Sequence, residues 1–269
     1  MKFLRTVASL CSGFQHYRDV RDVPVSSAIK YLLILMVLVS LVLMASFVPW
    51  VFGRAEDFAA WAEGHFPAFT LKGGKVVTQV AQPYYSGDED FLFVLDTTGT
   101  VTNADPKAAF GMLFMEDSFL MWARSTNAPT ATVQSRRSQL QGFPDGIVNG
   151  DYIRRLIRSF LWVGLPFLYV ILVLVGTLTC LLQAYLFSVV ASFTERSMPS
   201  PLSMNQLLSV AIHAVTPAAI IFAVYMSFRL NEVNLWLIYL VAYGIFLIGG
   251  TNACRELPEK HEDDTPPVL

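Results

Sequence analysis

The stretch FVLDTTGTVTNAD, residues 93–105, holds the residues whose types and spacing come nearest to a known chemistry. Phosphoaspartate enzymes place a nucleophilic aspartate at the end of an apolar strand and follow it with Thr-Gly-Thr, and Val94 to Thr102 copies that arrangement around Asp96. The reaction also needs a second acidic cluster to hold Mg²⁺ and a distant lysine to stabilise the phosphoryl group. No Gly-Asp-Gly-x-Asn-Asp-like segment occurs in the chain, and no α/β alternation surrounds Asp96. An aspartic protease needs Asp-Thr-Gly twice, so that two carboxylates share one proton. Here the spelling is Asp-Thr-Thr-Gly, once. A turn accounts for every residue: Asp96 accepts backbone amides at the first position, and Gly99 takes the positive φ three residues on. Asp96 and Gly99 are therefore expected to be a structural turn in which Asn would serve nearly as well as Asp. No catalytic residue, cofactor or metal site is predicted.

His213 lies in the apolar run SVAIHAVTPAAII, one helical turn before Pro217. Ionisable groups at membrane depth are rare and default to functional candidates. Pro217 removes the backbone donor that would meet the His213 carbonyl, and Gln183 and Thr179 on another apolar segment are candidate partners. The other reading is a neutral imidazole hydrogen-bonded between helices or near the interface. Arg154, Arg155 and Arg158 form a basic collar, with Arg154 and Arg158 on one helix face. They suit lipid phosphates or an acidic surface of the polar domain, or plain interfacial snorkelling. The acidic run Asp88-Glu89-Asp90 lacks the spacing of a calcium loop and reads as a solvated turn.

The elements that carry these residues are set by hydropathy. Of 269 residues, 54% are hydrophobic and 15% charged, against about 25% charged in soluble proteins. The deficit is concentrated: no charge occurs between Lys30 and Arg54, Arg158 and Glu195, Arg196 and Arg229, or Glu232 and Arg255. Each interval supplies the roughly 20 apolar residues that cross a bilayer. The fold class predicted is an α-helical integral membrane protein with four transmembrane helices, at 29–53, 155–194, 205–228 and 233–253. The first run is too long for a signal-peptide core and lacks a small-residue cleavage site. Trp50 and Trp162 suit interfacial anchors. Residues 155–194 read as one long helix kinked near Pro166, with Asp151 as its N-cap.

Residues 54–150 are the polar segment of domain size. EDFAAWAEGHF reads as a short helix, PAFTLKGGKVVTQV as a hairpin, DFLFVLDTTGTVT as a strand and turn, GMLFMEDSFLMWA as a second hairpin, and Thr130 to Arg137 as a last strand before the loop GFPDGIVNGD. Five or six strands make a small, mainly antiparallel β domain. No cysteine falls within 54–150, so the domain needs no disulfide. Residues 1–28 contain FLRTVASLCSGF, whose apolar residues recur at helical spacing, as in an amphipathic helix on the membrane surface. Residues 254–269 read as a disordered tail. Lys2, Arg5, Arg18, Arg21 and Lys30 place both termini in the cytoplasm and the β domain outside; the arginine collar at the outer end of the second span argues weakly the other way.

Ala-Ile-Lys-Tyr-Leu at 28–32, Phe-Pro-Ala-Phe-Thr-Leu-Lys-Gly-Gly-Lys-Val at 66–76, Leu-Asp-Thr-Thr-Gly at 95–99 and the three closing spans make up a pattern that runs from about Phe3 to Cys254. In this the chain resembles a bacterial membrane family catalogued as domain of unknown function 1189. The resemblance implies a four-span protein of the bacterial inner membrane with an extracytoplasmic domain, some of whose members carry a name linked to maltose use, and it implies no catalytic residue. The expected function is a non-enzymatic membrane accessory, sensor or assembly partner, in contact with the lipid bilayer and with a membrane or cell-envelope protein. The alternative is a small transporter or lipid-handling protein using the polar site around His213. A hydrolase would rest on Asp96 alone. No basic groove or stacking platform points to nucleic acid.

Overall fold

The computed structural model describes residues 2–103, 105, 107–125, 132–195, 198, 201–228 and 234–255. Most of them are helical. Four helices are long and apolar enough to cross a membrane: α3 (Val25–His65), α4 (Gly150–Glu195), α5 (Met204–Phe228) and α6 (Leu235–Arg255). They are preceded by α1 (Lys2–Ser12), a 3-10 turn (Phe14–His16) and α2 (Tyr17–Arg21). Eight strands lie between α3 and α4: β1 (Phe69–Lys72), β2 (Lys75–Val77), β3 (Tyr84–Gly87), β4 (Phe91–Leu95), β5 (Phe110–Phe114), β6 (Ser118–Ser125), β7 (Thr132–Gln139) and β8 (Gly146–Val148). The chain divides into two compact units, Met1–Pro49 with Leu165–Leu269, and Trp50–Gly164.

In the first unit α5 is the central helix. Its residues from Ser209 to Ala219 are all buried, whereas α4 presents Phe167, Leu174, Leu178, Leu182 and Val190 on an exposed apolar face. The N-terminal segment belongs to this core. Leu10, Tyr17 and Val20 are buried among α5 and α6 residues, so α1 and α2, where the sequence suggested an amphipathic helix on the membrane surface, pack their apolar residues on these helices. Two adjacent glycines make room: a Cβ at Gly249 would lie 2.5 Å from the Phe14 ring, and one at Gly250 would lie 2.8 Å from the Tyr17 ring. Arg18 and Arg21 then donate to the carbonyls of Ala253 and Cys254 at 2.7 and 2.9 Å, satisfying acceptors that the end of α6 leaves open. At the same end Arg255 pairs with the buried Glu195, which also accepts the Leu202 amide at 3.0 Å.

In the second unit a three-stranded sheet, β2-β1-β8, accompanies a five-stranded sheet, β3-β4-β5-β6-β7. All pairings are antiparallel except β4 with β5, which are parallel. The β4 run FLFVL is apolar on both sides because both sides are covered: Phe93 and Leu95 pack with Phe69, Leu71 and Val76, while Val94 packs with Leu113, Leu120 and Trp122. The hairpin turning at Gly73-Gly74 and the one between β5 and β6 match their turn residues.

Several boundaries differ from the sequence reading. The short helix expected after residue 53 is the end of α3, which continues to His65 because Arg-Ala-Glu-Asp-Phe-Ala-Ala-Trp offers no breaker. The N-cap of α4 is Asn149 and not Asp151: its Oδ1 accepts the Tyr152 amide at 2.9 Å. β3 was not expected because Tyr-Tyr-Ser-Gly is short and lies between Pro83 and Asp88. β8, within the expected loop, forms only as a partner to β1. Residues 1, 104, 106, 126–131, 233 and 256–269 of the expected segments lie outside the described residues.

Candidate functional site

Asp96 closes β4, and its amide donates to the Phe114 carbonyl at 2.8 Å. The carboxylate has no accessible surface. Oδ1 accepts the Thr98 amide at 2.9 Å and the Thr98 hydroxyl at 2.6 Å, and Oδ2 accepts the Val101 amide at 2.5 Å. Burial disfavours the charged form. The hydrogen bonds from Thr98, Val101 and Thr100 outweigh it and hold the carboxyl below its ordinary range. Gly99 has φ +78° with open space around its α-carbon, so its requirement is conformational. Gln82 completes the turn by accepting the Thr97 amide and hydroxyl. Both carboxylate oxygens are occupied, which corrects the expectation that Asn would fit nearly as well: its amide group would face the Val101 N–H donor to donor.

The expected site around His213 separates into two clusters. His213 is 3% exposed. Its Nδ1–H donates to the Ser209 carbonyl at 2.8 Å, since a carbonyl accepts only from a protonated nitrogen. The ring stacks on Tyr31 with centroids 4.6 Å apart, and the Tyr31 hydroxyl bonds Thr216 at 2.8 Å. Gln183 is paired elsewhere: its Oε1 accepts the Tyr239 hydroxyl at 2.9 Å, while its Nε2 is buried without a partner among the described residues. Thr179 sits one turn before Gln183 and, with Ser40 and Tyr239, lines the same cleft of about 390 Å³ between α3, α4, α5 and α6. Sequence reading missed Ser40 and Tyr239. An isolated serine in an apolar helix carries no signal of which neighbour it faces.

The arginine collar meets the last turns of α3. Arg154 pairs with Glu63 at 2.7 Å and lies 3.5 Å from Glu56, and Arg158 pairs with Glu56 at 2.6 Å. Arg155 is exposed and pairs with no described residue. The partners are carboxylates on the helical part of the 54–150 segment, whose acidic surface the sequence offered as a partner beside lipid phosphates and interfacial snorkelling. The signal was present: Glu56 and Glu63 are seven residues apart, so they share a helix face, as do Arg154 and Arg158. These groups are part-exposed, so each pair stabilises by only about 0.5–1 kcal/mol. Arg154→Glu should loosen the helix pair by on the order of 1 kcal/mol, and adding Glu63→Arg should recover most of it. A double-mutant cycle read by hydrogen exchange in 54–65 checks this; purely additive losses would deny the contact.

Asp88 is a turn residue, its Oδ1 accepting the amides of Asp90 and Phe91. Among the described residues no three His, Cys, Asp or Glu side chains gather as a metal-holding group. No curated protein and no solved structure matches the chain. A family model described as "Protein of unknown function (DUF1189)" matches residues 4–250, nearly the whole chain, and the protein belongs to that family.

Proposed function

We propose that the protein is a non-enzymatic accessory of the bacterial inner membrane that presents its β domain outside the cytoplasm to a membrane or cell-envelope protein. The observation that carries this reading is the occupied state of Asp96: the one residue with a nucleophile's sequence setting spends both oxygens on its own turn. Membrane insertion is supported by the exposed apolar faces of α3, α4 and α6, which far exceed what a soluble surface carries. The N-terminal Lys/Arg excess supports the cytoplasmic placement of both termini. A small transporter finds less support, because His213 is engaged by its own helix and by Tyr31.

The test is a cellular rescue series in a strain lacking the gene, using Asp96→Asn, Asp96→Ala and Gly99→Val. For a presenting domain, loss of rescue should follow the loss of folded β domain across all three variants. A folded Asp96→Asn protein that fails to rescue would contradict the reading and return Asp96 to chemistry.

A further inference from the structure

We propose that the outer edge of β7 receives an extended, acidic segment of the partner protein, which adds to the five-stranded sheet as a further strand beside Arg136 and Arg137. This rests on the presenting role proposed above and names the surface and the chemistry of what it takes. The ladder fixes which groups are free. The Met115 amide donates to the Ser118 carbonyl at 2.8 Å on the β5 side, and the Leu140 amide donates to the Asp117 carbonyl at 2.9 Å on the β7 side. Antiparallel pairs alternate between bonded and non-bonded, and Ser118 faces Gln139. The even-numbered residues of β7 therefore bond β6, while Val133, Ser135, Arg137 and Gln139 turn their N–H and C=O groups outwards. None of those outward groups bonds a described residue.

The other edges are closed by means that β7 lacks. β3 has four residues and follows Pro83. β2 and β8 have three each, and the Val76 amide on the outer side of β2 is taken by the Glu116 carbonyl at 2.7 Å. Short edges, prolines and covers are how sheets avoid stray pairing. β7 has eight residues, every one in register with β6, and neither a proline nor a bulge. Such an edge holds a chain by backbone hydrogen bonds, and its side chains select which chain. Arg136 and Arg137 are its charged residues, both exposed and, being consecutive, on opposite faces. Arg136 pairs with no described residue; Arg137 is oriented by the Ser118 hydroxyl, to which it donates at 2.9 Å. A second copy is a poor occupant. The bonded register that overlaps two copies of β7 most fully sets the two Arg136 side chains directly opposite each other, and like charges so placed are destabilising. Two adjacent carboxylates in a partner strand instead put one beside each arginine.

The experiment uses the full chain in a neutral detergent and three synthetic peptides of alternating threonine and valine: one with a central Asp-Glu pair, one with Lys-Lys in its place, and the acidic one with methylated backbone amides. In residue-resolved hydrogen exchange, saturating acidic peptide should slow the amides of Val133, Ser135, Arg137 and Gln139 about tenfold. Those of Gln134, Arg136 and Ser138, already bonded to β6, should not change. The Lys-Lys and methylated peptides should protect nothing. Arg136→Glu, whose parent side chain has no described partner to lose, should weaken the acidic peptide about tenfold and admit the Lys-Lys one. Ser135→Pro removes an outward N–H that β6 does not use, a place where an edge strand accepts proline. Its β6 amides should exchange as in the parent, while peptide protection is lost. No protection by the acidic peptide, equal protection by the Lys-Lys one, or protection that survives backbone methylation would overturn the strand addition. Protection of the outward amides that rises with protein concentration alone would make a second copy the occupant and overturn it too. These readouts depend on neither sidedness nor rescue. In the strain lacking the gene, a folded Ser135→Pro chain that rescues fully would remove the edge from the presenting role, which itself stands or falls with the Asp96 series.

Discussion

Asp96→Ala should destabilise the β domain by about 3 kcal/mol, because buried hydrogen bonds to a charged group are each worth about 1.5–3 kcal/mol and are not additive. The substitution strands the Thr98 and Val101 amides at the end of β4. Asp96→Asn should cost about 2 kcal/mol: one oxygen survives for Thr98, and the amide group meets the Val101 N–H donor to donor. Gly99→Val should cost about 1–2 kcal/mol through its positive φ alone, and so less than Asp96→Ala. The pH dependence follows from the depressed carboxyl. A group held below its unfolded value, about 3.9 for Asp, contributes stability fully above that value and loses it as pH falls through the folded-state value. Protonated Asp96 presents Val101 with a hydroxyl and resembles Asn. The gap between parent and Asp96→Asn should therefore be full near pH 7 and shrink below about pH 4. Hydrogen exchange of the β4 and β5 amides in the full chain measures it, and a gap that stays constant down to the acid limit would contradict the carboxylate's role.

Gly111→Val should unfold the five-stranded sheet or cost at least about 3 kcal/mol, the upper end for overpacking a core. Gly111 stands opposite Trp122 in the β5–β6 register, and the indole lies across it. A Cβ at Gly111 would come within 2.1 Å of Trp122 Cζ2 and 2.4 Å of Cε2. The ring is 2% exposed and held by Val94, Leu113 and Leu120, so it has nowhere to move. Aromatic cover of a strand glycine is a recognised sheet device. Even Gly111→Ala should fail in the parent and be partly rescued by Trp122→Leu, which vacates the space. Exchange rates of the β5 and β6 amides should rise on the order of a hundredfold in Gly111→Ala and fall back in the double variant. Equal protection in Gly111→Ala and parent would show that the indole does not cover the glycine.

The four long helices were legible because each uncharged run has bilayer length, and the hairpins were legible because Lys-Gly-Gly-Lys and Glu-Asp-Ser carry their own turn chemistry. The Asp96 turn was legible for the same local reason. What escaped was pairing over distance. Nothing in FLRTVASLCSGF tells a membrane surface from the Gly249-Gly250 shelf, since both reward the same apolar face. Gly53 and Arg54 read as an edge because charge begins there, yet backbone propensity carries α3 on to His65. Thr179 and Gln183 were read towards His213 because polar groups in apolar helices seek each other. The helix faces instead direct Gln183 to Tyr239 and His213 to Tyr31, and face orientation is set by packing, which hydropathy does not encode.

The proposed function requires the β domain to lie outside the cytoplasm and the N-terminal segment inside it. Two single-cysteine chains test it in spheroplasts with a membrane-impermeant maleimide. One retains only the exposed Cys11; the other has all three native cysteines replaced by Ser and carries Glu89→Cys, at an exposed position before β4. Glu89→Cys should be labelled in intact spheroplasts, whereas Cys11 should be labelled only after the inner membrane is broken. Labelling of Cys11 in intact spheroplasts, with Glu89→Cys protected until lysis, would contradict it.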